Sequence, residues 1–151
     1  MAPKFEKNLR FSDNISKLIA RTKTSTCALT LLRRSGVNSN ALSLFYKSRV
    51  LSVLSFACPV WYPYLSKIDV ERLESFQSMC TRIILPSVDD YDDRLSQLNI
   101  DEISVHLNVL CLRYVSKVRS YEDHVCHELL NFSEKVGRTA FFDKMLFKKF
   151  F

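Results

Sequence analysis

Four aspartates surround one tyrosine in the run Asp89, Asp90, Tyr91, Asp92, Asp93, and clustered carboxylates are what a phosphoryl-transfer centre uses to hold two divalent ions. The spacing does not suit that chemistry. After Tyr91 and one spacer, Asp92, comes Asp93, and then Arg94 stands where an adjoining second carboxylate would be needed. Negative charge just before an apolar helical run instead opposes the helix dipole, so these acids read as a helix N-terminus. His124, Cys126 and His127 form the other tempting group. Neighbours in sequence do not readily share one tetrahedral ion, and no second ligand pair accompanies them, so no metal and no cofactor is expected. No glycine-rich phosphate loop or nucleophile elbow occurs, and the chain is not expected to be an enzyme by itself.

The elements that would position any site are helical. A chain of 151 residues suits one domain with a real core, and it contains only two glycines, Gly36 and Gly137. Short polar breaks between long periodic runs fit an all-α fold better than one of many turns and strands. The longest apolar run is Leu44 to Leu65, with no charge between Val50 and Leu65. Two prolines and the nearby Lys47 and Arg49 argue against a bilayer span, so it is expected to lie inside a protein core, as a central helix ended by Pro59. An aromatic corner of Trp61, Tyr62 and Tyr64 follows, and core packing is preferred over base stacking for its rings.

Around that helix, periodicity and capping place three further long helices. The first starts at Ser12 or Asp13, buries Ile15, Leu18, Ile19, Thr22, Thr26 and Leu29, and ends at Gly36. Ser66 and Asp69 resemble a capping box for the third, with Val70, Leu73, Phe76, Cys80 and Ile84 inside, Glu74, Ser78 and Arg82 outside, and a stop at Pro86. A short helix burying Leu95 and Leu98 precedes the fourth, which Asp101 caps and which runs to about Arg119 with two apolar faces. The expectation is a compact all-α bundle of about four main helices with a short extra helix, spanning residues 11–120. Residues 1–10 read as a charged lead-in, and residues 121–151 as an irregular, cut-short helical extension. Its Phe-rich and Lys-rich end is not expected to bind a membrane.

Charge is spread unevenly. Residues 1–50 hold ten Lys or Arg against Glu6 and Asp13, whereas residues 51–100 hold four against seven acids. A basic N-terminal third suggests a polyanion partner, nucleic acid before membrane, and a solvated helix face is the alternative. Five cysteines, with no close metal-type pair, read as free and mostly buried thiols. With no apolar leader at the N-terminus, the expected compartment is cytoplasmic or nuclear.

Five blocks carry a resemblance: Leu32 to Arg34 ending a helix, the helix from Tyr46 to Phe56, Pro59 to Trp61, Leu73 to Gln77, and Tyr91 to Leu95. In order and spacing, across about residues 8 to 118, they resemble the region just downstream of the polymerase core in non-LTR retrotransposon reverse transcriptases. Tyr91 to Leu95 matches that family's Tyr-acid-acid-Arg-Leu block and not its metal-binding motif. The resemblance implies a thumb and connector that close over primer and template, with the fingers, palm and catalytic carboxylates lying before Met1. An RNA/DNA duplex is then the implied partner, gripped without sequence specificity through Lys17, Arg21, Arg33, Arg34, Lys47 and Arg49, with Arg82, Arg113 and Lys117 as further contacts. The missing palm and fingers are a further partner that the resemblance implies. The competing expectation is an all-helical protein-interaction or self-association module, with a helical protein partner or itself and no nucleic-acid role.

Overall fold

The computed structural model describes residues 12–120, and among them every regular element is helical. The lead-in over residues 1–10, the extension over 121–151 and the histidine and cysteine group at 124–127 lie outside the described residues. Helix α1 is Ser12–Arg34, closed by Gly36 in the left-handed region at φ 81°. Ile15, Leu18, Thr22 and Leu29 are buried as its periodicity requires. Its threonines at 22, 26 and 30 turn their hydroxyls back onto carbonyls three or four residues earlier. That habit keeps them satisfied against the core but weakens an isolated helix, so α1 depends on its packing against α5 (Lys67–Ile84) and the central rod.

The central rod departs from the expected single helix. Asn38 caps α2 (Ser39–Phe45), and Tyr46–Leu51 then forms a π-helical stretch before α3 (Ser52–Ser55). The buried positions Leu42, Tyr46, Val50 and Leu54 recur every four residues. An α-helix turns about 100° per residue, so such a spacing drifts about 40° at each step. The wider turn rotates less per residue and holds all four on one side. The rod also ends before Pro59: Ser55 is its last helical residue, and Ala57 takes a left-handed conformation, φ 52° and ψ 28°. Pro59 belongs to the first turn of α4 (Cys58–Trp61), where its missing N–H costs nothing. A 3-10 turn, Tyr62–Tyr64, follows.

The stretch is not wholly enclosed either. Phe56 is 63% exposed, and Leu44, Val60 and Tyr64 also reach solvent. Trp61 is the enclosed member of the aromatic corner, and its indole N–H donates to the Phe56 carbonyl at 2.9 Å. Tyr62 donates its hydroxyl to the Ser104 carbonyl at 3.0 Å. No single described helix is long and apolar enough to cross a membrane; Ser39–Ser55 and Cys58–Tyr64 reach that measure only as a pair bent by 40°. Tyr46, Val50, Leu54, Cys58 and Trp61 from that pair line the protein's own core.

Helix α5 starts at the Ser66 cap, whose Oγ accepts from the Asp69 N–H at 3.2 Å, and stops one residue before Leu85, which precedes Pro86 and lies outside the helical region at φ −124° and ψ 76°. Asp90 caps α6 (Tyr91–Leu98), so the acidic cluster does open a helix, and Asn99 closes it in the left-handed region. Helix α7 (Ile103–Ser120) packs on α4 and α5, with Ile103, Leu107, Cys111, Val115 and Val118 buried. Its second apolar face is only partly covered, with Val105 exposed and Val109 and Leu112 half-buried, and Tyr114, expected on the main face, is exposed. Cys58, Cys80 and Cys111 are buried free thiols as expected, but Cys27 is exposed. The Tyr46 hydroxyl, wholly enclosed, has no hydrogen-bond partner among the described residues.

Candidate nucleic-acid interface

Two of the recognised blocks interlock. Gln77 Oε1 accepts from the Ile103 N–H at 2.6 Å while Gln77 Nε2 donates to the Asp101 carbonyl at 2.9 Å. Glu74 Oε1 accepts from the Ser104 N–H at 2.9 Å. The first turn of α7 is therefore capped from α5, not by the side chain of Asp101, and Glu74 faces inward instead of outward. The Tyr91 hydroxyl lies 3.0 Å from Glu74 and 2.9 Å from Gln77, which ties α6 into the same knot. Burial, reinforced by the Glu74 carboxylate, raises the Tyr91 pKa well above the ordinary phenol range, so it stays a neutral donor.

Arg94 is the second lock. It is buried, and its guanidinium donates to the carbonyls of Val88 and Asp89, to Ser78 Oγ and to Thr81 Oγ1. Carbonyls and hydroxyls satisfy it without a carboxylate, and it lies 5.8 Å from the centre of the Tyr91 ring. Ser78, read from the sequence as outward, is one of those partners. Neither Arg94 nor Gln77 stood out by residue type as a structural residue, because a charged or amide side chain mid-helix usually faces water; the resemblance alone marked them, as members of the blocks Tyr91 to Leu95 and Leu73 to Gln77.

The nine cations expected to contact nucleic acid fall into separate places. Lys17 and Arg21 are exposed and one turn apart on α1. Arg21 lines a groove of about 330 Å³ together with Leu18, Ser52, Val53 and Phe56, and the exposed Arg49 stands three and four residues before Ser52 and Val53. Arg33 and Arg34 are exposed in the last turn of α1, about 24 Å along the axis from Lys17 at 1.5 Å per residue. Arg113 and Lys117 share the outer face of α7 at a four-residue interval. That face adjoins the end of the central rod, since His106, seven residues before Arg113 and so on the same side of the helix, meets Ser55 Oγ at 3.1 Å.

Two candidates stand apart. Lys47 extends its ammonium to the carbonyls of Asn99 at 2.8 Å and Leu98 at 3.4 Å, at the C-terminus of α6, where a cation opposes the dipole. Arg82 lies in the last turn of α5, on the exposed side of that helix with Glu71 and Ser75.

Acids are segregated by element along the chain. Between Asp13 and Asp69 the chain has no Asp or Glu, and α7 has none. Carboxylates among the described residues are gathered on α5, on the approach to and first turn of α6, and at Asp101 and Glu102, with Asp13 as the exception. Glu71, Glu74 and Glu102 line one open pocket with Tyr62, Tyr91 and Lys67. No group of three or more His, Cys, Asp or Glu among the described residues could hold a metal ion. Comparison with protein-family models, with curated proteins and with solved structures gives no match.

Proposed function

We infer that this chain is a nucleic-acid-gripping helical unit, a thumb-like part of a retroelement reverse transcriptase, which holds an RNA/DNA duplex by its phosphates without reading sequence. The observation that carries the reading is the lack of carboxylates in α1 after Asp13, in the central rod and in α7. Exposed Lys17, Arg21, Arg49, Arg113 and Lys117 stand on those elements with Asp13 as the one acid among them, so their fields largely add over a polyanion instead of cancelling. Arg33 and Arg34 extend the positive surface to the end of α1. The five-block resemblance adds the polymerase context, and the knot between Leu73 to Gln77 and Tyr91 to Arg94 gives two of those blocks a shared structural reason.

Fluorescence anisotropy of a labelled RNA/DNA hybrid across a salt series tests it. Log affinity is expected to fall linearly with log salt, by about 0.9 per neutralised phosphate on B-form DNA. Reversing Arg33 and Arg34 together to Glu is expected to weaken all sequences alike and to flatten that slope by about 2. A folded chain that binds no hybrid at low salt, or a loss confined to one sequence, contradicts the grip.

A second reading rests on a different observation: Leu31, Leu44, Phe56 and Ile68 are each more than 60% exposed. Under it the unit is a protein-interaction or self-association module. Sedimentation at rising concentration separates the two, because that module forms a discrete oligomer and a simple grip leaves a monomer.

A further inference from the structure

We propose that the groove between α1 and α3 is a stacking site for one unpaired nucleobase, with Phe56 as its platform; the inference rests on the nucleic-acid reading above and deepens it. Trp61, the ring best suited to stacking by type, is buried, whereas Phe56 stands 63% exposed at the end of the rod. Among the exposed large hydrophobics, Phe56 is the aromatic that lines this groove.

Its mounting is fixed. The Phe56 carbonyl is held by the Trp61 indole at 2.9 Å, and the next residue, Ala57, is kept in the left-handed region that non-glycine residues avoid. Strain of that kind persists where the surroundings impose it, and here it turns the chain away directly after Phe56 and leaves the ring at the groove. The groove, about 330 Å³, is at the small end of the range for ligand sites, about 300–1,000 Å³. Leu18 and Val53 give it apolar walls for a flat ring, and the Ser52 hydroxyl, which donates to the Ser48 carbonyl at 2.6 Å, offers an acceptor at its edge.

Charge selects the ligand. Arg21 lines the same groove, Lys17 is one turn away and Arg49 one turn before Val53, with no carboxylate in α1 after Asp13 or anywhere in the rod. Apolar walls with a cationic rim match a base whose sugar carries phosphate. Bases inside a duplex have both faces stacked, so the site takes a base from a single-stranded tail or a frayed end. The groove thereby adds a preference for the junction between duplex and single strand.

The test compares a blunt RNA/DNA hybrid, the same hybrid with a short single-stranded DNA tail, and one whose tail has the same phosphates but no bases. The tail is expected to tighten binding about ten-fold and the base-free tail not to do so. Phe56→Ala is expected to abolish the gain and leave blunt-hybrid affinity within about two-fold, while Phe56→Trp keeps it; unchanged circular dichroism certifies each variant. Equal gain from the base-free tail, or a gain that survives Phe56→Ala, overturns the proposal. If the blunt hybrid does not bind but the tail binds in a Phe56-dependent way, the duplex grip fails and the stacking site stands. If neither binds, both fall.

Discussion

Gln77, in the middle of α5, holds the first free N–H of α7 at Ile103 with a 2.6 Å hydrogen bond and returns its amide to the Asp101 carbonyl. One side chain thus fixes where α7 begins and how it docks. Gln77→Leu keeps the volume but strands the buried Ile103 N–H and the partly buried Asp101 carbonyl and takes one acceptor from Tyr91. The expected cost is about 3 kcal/mol, the sum of leaving such groups unpaired. Urea unfolding measures it, and a loss below about 1 kcal/mol would show that α7 is docked by its apolar face alone.

Arg94 allows a sharper comparison. Its fork reaches two carbonyls and two hydroxyls that a single ammonium cannot serve together. Arg94→Lys is therefore expected to destabilise by about 2 kcal/mol or more despite keeping the charge, and Arg94→Met by a similar amount. If Lys restores full stability, the charge matters here and the geometry does not.

His106 predicts a pH dependence. Burial pulls its pKa below the ordinary 6.5, with Asp101 opposing and Arg113 adding to the shift. The folded chain therefore favours neutral imidazole, and the unfolded chain binds the extra proton between the lowered pKa and 6.5. The stabilisation is present above pH 6.5 and is lost as pH falls from there through the folded pKa. Urea midpoints at pH 7.5 and pH 5.5 should fall further apart in the parent chain than in His106→Gln. Identical differences in the two chains would remove His106 as the source, since His124 and His127 are common to both.

The all-α architecture and most element ends were legible because they depend on local signals: Ser66 as a cap, the acids around Tyr91 as a helix N-terminus, Gly36 as a stop, Pro86 after α5. The interior of the rod was not legible, because a spacing of four is shared by α-helical and wider turns and only the packing decides. Pro59 misled for a related reason, since proline ends one helix and begins another equally well. Among the candidate site residues, exposure of Lys17, Arg21, Arg33, Arg34, Arg49, Arg113 and Lys117 follows from their place opposite the apolar faces or at helix ends. The diversion of Lys47 to Asn99 could not be read, because it depends on a contact between residues 52 apart in sequence.

The wide turn at Tyr46–Leu51 has a consequence for insertions and deletions. Losing one residue from an ordinary helix swings everything after it by about 100° and drags its inward side chains off the core. Here the exposed Ser48 sits inside the wide turn. Without it, the inward series Leu42, Tyr46, Val50, Leu54 would be spaced four, three, four, the alternation by which a straight α-helix keeps one stripe on its neighbour. A loss of one codon at Ser48 would leave both ends of the rod facing as they do now. This is the place in the rod where the register of its faces can lose a single residue and the fold can absorb the change.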